Sequence, residues 1–574
     1  MTLPWCEPLG ATPRRDGLTS FRVWAPRADG VSVRAAGVED PLEDLGLGVF
    51  AAELGIAAGG DYELVLAGSD HALPDPCSRH QPHGLRGPSR VLDPATFSWR
   101  DQAFTAPPLD RLVIYELHVG AFTAEGTFAA AAERLPALAQ LGVTAVELMP
   151  VADFPGERGW GYDGVYLSAA HRAYGGPQGL AAFVDAAHQA GVAVLLDVVY
   201  NHVGASGVAA LEAFGPYLTD RYSTFWGKAV NYDDHDSDPV REWVLQSAAG
   251  WVRDFHIDGL RLDAVGAIFD DSPKHIVAEI CERVRAEKPG ALVIAESGLN
   301  DPRVIRPPHE GGWGVDAQWA DDFHHSLHVL LTGERDGYYA DFGGVADLAK
   351  AYRRPFVYDG RYSRFRGRSF GAPAGDRPPS QFVVFAQNHD QVGNRALGDR
   401  LPAASRPLAA LCTLLSPFVP LLFMGEEYGE NAPFQFFTDH IDPDIAEATR
   451  EGRRREFATF VSFAEELPDP QDPATFERSR LTRQTDPAIA SLYRDLLALR
   501  GILSGEAEVS FDGRRRWMRV LRSGGEILCN FAGERLELPV GEGRRLLLST
   551  DRANTHDPVS TTIALEPCSG VLLA

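Results

Sequence analysis

Residues 192–203, VAVLLDVVYNHV, decide how this chain is read. Their first half is apolar without alternation, the pattern of a strand buried on both faces of a parallel sheet. Their second half turns polar, bringing Asp197, Asn201 and His202 to the C-terminal end. The form recurs on both sides: RLVIYELHVG (111–120), VTAVELMPV (143–151), IDGLRLDAV (257–265), ALVIAES (291–297), QFVVFAQNHD (381–390) and VPLLFMGEEYG (419–429). Between them lie amphipathic helical stretches at 128–142, 180–191, 243–256 and 274–290. Repeated βα units of this length make either a (β/α)8 barrel or a doubly wound sheet. Nearly every strand ends in Asp, Glu, His or Asn, and barrel enzymes build their sites on that face. No GxGxxG follows the first strand, which counts against a dinucleotide-binding sheet.

The flanks differ in texture. SFRVWAP (20–26), VSVRAAG (31–37) and DYELVLAG (61–68) read as strands of a small β-sandwich, and 73–94 as a long ordered loop leading out of it. Five short strands from RWMRVLR onward read as a second β domain. The expected α/β architecture is therefore a (β/α)8 TIM barrel over 106–503, flanked by β-sandwich domains at 1–105 and 504–574.

Composition bounds the function. The 574 residues carry 54 Lys+Arg against 79 Asp+Glu, a formal charge of −25. Such a surface repels phosphate backbones, so no nucleic-acid partner is expected. Six scattered cysteines without a CxxC pair suit reduced thiols in the cytoplasm. The N-terminus lacks the apolar core of a signal peptide. The uncharged stretch 407–424 is broken by Pro417 and Pro420 and reads as a buried helix followed by a buried strand, so no membrane partner is expected.

Four strand ends carry the chemistry: DVVYNH, GLRLDAV, ALVIAES and QNHDQVGN. Residues i and i+2 share a strand face, so Arg261 and Asp263 point the same way, and Arg261 can hold a neighbouring carboxylate ionised. Glu296 follows four apolar residues, so desolvation there raises its pKa, as a general acid requires. Acids, an arginine and two histidines at one mouth divide acid and nucleophile roles, which fits glycoside hydrolysis. Taken singly, each such residue is more often a helix cap, a surface group or a structural histidine; four clusters in order weaken that reading.

In order and interval these segments resemble the four signature regions of the α-amylase family, glycoside hydrolase family 13. The resemblance implies a retaining mechanism on α-glucans. By motif position Asp263 is the nucleophile, Glu296 the acid/base and Asp390 the transition-state stabiliser. Arg261, His202 and His389 line the adjoining glucose site, Tyr162 stacks on that sugar, and Asp197 supports the site by holding Arg261.

YELHVGAFTAEGTF, DAQWADDFHHSLHVLLTGE and MGEEYGENAPFQFFTDH resemble the trehalose-releasing members of the family. They imply maltooligosyltrehalose as substrate and a maltooligosyltrehalose synthase upstream. Trp226, Asp322, His324, His325, Gln391 and Asn394 are the expected readers of the leaving group; Trp313, Trp319, Tyr428 and Phe434 are further aromatics that could stack on sugars. No cofactor is expected. In many α-amylases the residue at Asn201 helps bind calcium, but the short stretch after His202 leaves little room for the rest of that site, so no metal is expected. Branching or debranching enzymes of the same family, and a non-catalytic glucan-binding scaffold, are the alternatives.

Overall fold

The computed structural model describes residues 3–457, 467–551, 558–559 and 561–574. At its centre eight parallel strands close into a barrel: β1 (Ile114–Leu117), β2 (Ala145–Leu148), β3 (Ala193–Val198), β4 (Gly259–Leu262), β5 (Leu292–Ala295), β6 (Ala317–Trp319), β7 (Phe382–Phe385) and β8 (Val419–Phe423). Each pairs with its neighbours in chain order, and β8 closes on β1. The strands are shorter than the apolar runs that predict them, because the barrel ladder ends where the chain must turn into loops.

Alternation along the strands sorts side chains between two cores. One set packs outward against the helices. The other, including Leu112, Ile114, Leu195, Ile294, Val383, Phe385 and Leu421, forms a separate apolar plug. Above it the same parity delivers Glu116 and Glu147, paired in register on β1 and β2, and Asp197 and Arg261, paired on β3 and β4. An apolar floor thus lies under a charged layer at the C-terminal mouth.

The helix expected over 128–142 is two helices, Phe128–Ala132 and Leu135–Leu141. Pro136 sits in the first turn of the second, where it is tolerated; a continuous helix would drive its ring into the carbonyl of Ala132 and lose a hydrogen bond. The loop over 73–94 is held by buried polar pairs. Asp75 accepts from the Tyr62 hydroxyl at 2.7 Å, and Ser78 and Ser89 both donate to Gln81 Oε1. The stretch 407–424 folds as a helix, Arg406–Leu414, then β8. Among the described residues no helix is long and apolar enough to cross a membrane.

Before the barrel lie a four-stranded and a five-stranded antiparallel sheet; after it lie a five-stranded sheet and a two-stranded one. Trp243 donates to the carbonyl of Pro76, and Arg500 Nη2 to that of Phe418 at 2.5 Å. These bonds tie the barrel helices to the N-terminal loop and to the turn before β8.

Leu195, 1% exposed, fills the plug. Leu195→Ala is expected to destabilise the protein by about 2–5 kcal/mol, because the barrel wall cannot collapse into the hole. The shift of the urea midpoint measures it.

Candidate active site

Arg261 is fully buried at the end of β4. Its Nη1 donates to Asp197 Oδ2 at 2.7 Å and to Asp263 Oδ1 at 3.0 Å, and its Nη2 donates to Glu296 Oε2 at 2.9 Å. The guanidinium lies over the Trp319 ring, 4.3 Å from its centroid. One cation therefore gathers carboxylates from β3, β4 and β5. Asp263 Oδ2 also accepts from Asn201 Nδ2 at 2.7 Å. Asn201 spends its remaining amide proton on the Asp263 carbonyl and turns its Oδ1 to His202 Nδ1.

The chain turns sharply after the Asp263 carboxylate. Ala264 is left-handed, at φ 41° and ψ 53°, which costs a side-chain-bearing residue about 1–3 kcal/mol. That conformation aims its N–H at Glu296 Oε2, 2.8 Å away.

Asn388 caps the short helix His389–Gly393, which carries the other signature pair. His389 Nδ1 meets Glu116 Oε1 at 2.5 Å, and its backbone N–H donates to Glu116 Oε2. Its Nε2 faces the Tyr162 hydroxyl at 2.8 Å and Asp390 Oδ1 at 3.5 Å. The Tyr162 hydroxyl also donates to Asp197 Oδ2 at 2.5 Å, and its ring stacks on that of His389. His202 is covered by Trp226, the rings 4.9 Å apart and nearly parallel. Trp226, 48% exposed, stands at the tip of the hairpin Leu218–Thr224/Gly227–Val230.

The charge balance follows from burial. Desolvation raises Glu296, with the Asp263 charge adding to it and Arg261 opposing. Asp197, Asp263 and Asp390 are also raised, burial outweighing the pull of Arg261 or His389. Arg261 thus favours the ionised forms, as expected, but does not bring its partners below the ordinary range. Burial acts against a charge on His389, yet Asp390 and Glu116 win and lift it to about 9. Burial lowers His202, which favours the neutral ring.

Several expected residues lie elsewhere. Asp322 is buried and accepts from Asn300 Nδ2 and from the N–H groups of Val357 and Tyr358, so it pins a loop rather than facing a sugar. His324 is used by the Ala386 carbonyl and the Tyr339 hydroxyl, and His325 packs among the rings of Tyr338, Tyr339 and Phe342. Asn394 donates to Asp390 Oδ1 at 3.0 Å, which positions that carboxylate. Gln391 is half-buried on the same short helix, its Oε1 without a partner among the described residues. Trp319 and Phe434 are interior, Tyr428 is buried beside Glu430, and Trp313 stacks on His275.

Sequence reading passed over Glu116, Glu147 and Asp321. The first two were signalled by a lone acid inside an apolar strand; the third was hidden beside Asp322.

A closed parallel barrel whose mouth gathers three carboxylates around one arginine is the arrangement of a glycoside hydrolase of the α-amylase class. Residues 94–214 match the model of the alpha-amylase catalytic domain. The chain is 45% identical over 517 residues to the malto-oligosyltrehalose trehalohydrolase of Saccharolobus solfataricus, covering 89% of this chain and 90% of that one. It is 43% identical to that of Rhizobium sp. strain M-11, covering 99% of each. It superposes with a TM-score of 0.90 on the crystal structure of a putative alpha amylase from Salmonella typhimurium, at 38% identity and 99% and 100% coverage. The chain belongs to the malto-oligosyltrehalose trehalohydrolases, within the α-amylase family.

Two outcomes follow from the charge arrangement. Arg261→Ala leaves buried carboxylates uncompensated and is expected to cost about 3–5 kcal/mol, measured by denaturant unfolding. His389 is raised above its ordinary 6.5, so its stabilisation is complete below that pH and is lost as pH climbs through about 9. Glu116→Gln removes one source of that rise, so the alkaline loss should begin at lower pH, read as melting temperature across pH 6.5 to 9.

Proposed function

We propose that this chain cleaves the α-1,4 bond beside the terminal trehalose of maltooligosyltrehalose, releasing trehalose and a shortened maltooligosaccharide. The observation that carries the reading is the Arg261 fork. It holds Asp263 and Glu296 on its two arms, in a chain that matches trehalohydrolases over nearly its full length.

In this mechanism Asp263 attacks the anomeric carbon while Glu296 protonates the departing oxygen. Water activated by Glu296 then hydrolyses the glycosyl-enzyme, which retains the configuration. A shared guanidinium holds the two carboxyls near each other, as a retaining mechanism requires. Burial raises the pKa of Glu296, which favours the protonated form that the first step uses. Asn201 and Arg261 hydrogen-bond the Asp263 carboxylate and aim it. Asp390 and the buried carboxylates around it stabilise the positive charge that develops on the sugar ring. Tyr162, His202 and His389 line the pocket for the glucose unit being transferred, and Trp226, stacked on His202, is a reader of the leaving group.

Substrate comes from a maltooligosyltrehalose synthase, which places the enzyme in trehalose biosynthesis. The free thiols of its cysteines suit the cytoplasm.

Incubation with maltooligosyltrehalose should yield trehalose. Branched glucan made or cut without trehalose would sink the assignment. Glu296→Gln should lower kcat by about 10²–10⁴-fold. Asp263→Ala should abolish turnover while circular dichroism shows the fold intact. In the wild type, the rate of the first step should fall as pH rises through the raised pKa of Glu296.

A further inference from the structure

The segment Trp319-Ala320-Asp321-Asp322 leaves β6 and enters the helix Asp321–Thr332. Trp319 faces the barrel interior, since its ring lies against the Arg261 guanidinium. Two residues further, Asp321 opens the helix at the C-terminal end of β6, whereas Asp322 is consumed by Asn300, Val357 and Tyr358. β6 stands between β5, which ends in Glu296, and β7, which leads to Asp390. Asp321 therefore occupies the rim between the acid/base and the third carboxylate.

Its electrostatic surroundings agree with that position. Asp321 interacts more strongly with Glu296 and Asp390 than with its own neighbour Asp322. Among the described residues no group hydrogen-bonds its half-buried carboxyl. A carboxyl in that position, unlike Asp322 or His324, has its hydrogen-bonding capacity free for a ligand. Glu296 is also the group that protonates the departing oxygen, so a side chain adjoining it on the flank away from Asp263 lies toward the leaving group.

We propose that Asp321 is a specificity-determining residue that hydrogen-bonds hydroxyls of the departing sugar, the trehalose unit in the reaction assigned above. Burial, with the charges of Glu296 and Asp390, lifts its carboxyl to about 8. At neutral pH it therefore carries a proton and can both donate to and accept from adjacent hydroxyls. The proposal rests on the functional reading for the identity of the leaving group, but not for the presence of a sugar there.

The test is a ratio. For wild type, Asp321→Ala and Asp321→Asn, kcat/KM is measured on maltooligosyltrehalose and on a 4-nitrophenyl maltooligoside of equal length, whose leaving group bears no sugar hydroxyls. Asp321→Ala should lower the ratio of the first to the second by about 10- to 100-fold. Asp321→Asn, neutral and able to donate and accept, should recover most of it. An unchanged ratio in Asp321→Ala, or an Asn variant as poor as the Ala variant, would overturn the proposal. Should Asp321→Ala not fold, a ratio lowered less than 3-fold in Asp321→Leu would overturn it, and a larger drop there would support it. If the wild type releases no trehalose, the functional assignment fails separately. The same ratio, taken with a plain maltooligosaccharide as the sugar-leaving substrate, then judges Asp321.

Discussion

A guanidinium sealed from water must be neutralised where it sits, because an uncompensated charge in the interior costs more than most folds can spare. Arg261 meets that condition with Asp197, Asp263 and Glu296, one from each of three consecutive strand ends. The arrangement works in both directions. The cation needs the carboxylates to be buried, and the carboxylates need the cation to be held together at a mouth where they would otherwise repel one another. Asp263 and Glu296 thus acquire their spacing from a constraint on burial.

The layers around this pair are consequences of it. Below, the apolar plug removes water from the barrel and so strengthens every interaction above it. To one side, Glu116 keeps a charge on His389, which steadies Tyr162 and Asp390. At the lip, the left-handed turn at Ala264 accepts backbone strain in exchange for an N–H aimed at Glu296. Strain of this kind persists only where the surrounding packing over-determines the conformation, and here both neighbouring strands hold it.

Much of this was legible along the chain. Unbroken apolar runs ending in acids announced a parallel barrel, since the period of the pattern and the position of its polar ends are local properties. Asp263, Glu296, Arg261, His202, His389 and Asp390 could be picked out because each closes such a run. Helix continuity through Pro136 was misjudged, because the amphipathic pattern carries across a break that backbone sterics impose. The DDFHH stretch was misread for a different reason. Two adjacent acids look alike in sequence, and only the direction of the chain leaving β6 decides that Asp322 is spent on a loop while Asp321 faces the carboxylates.

By itself, then, the sequence determined the barrel, the order of its strands and the acids at their ends, because these depend on hydrophobic period and on residue type. Tertiary structure alone decided which polar groups are used up and which stay available. It set Glu116 beneath His389, gave Asn394 to Asp390, turned Asp322 inward and left Asp321 at the rim. Those outcomes depend on distances between residues far apart in the chain and on which atoms lose water. A buried carboxyl and an exposed one are the same letter until the fold closes around them.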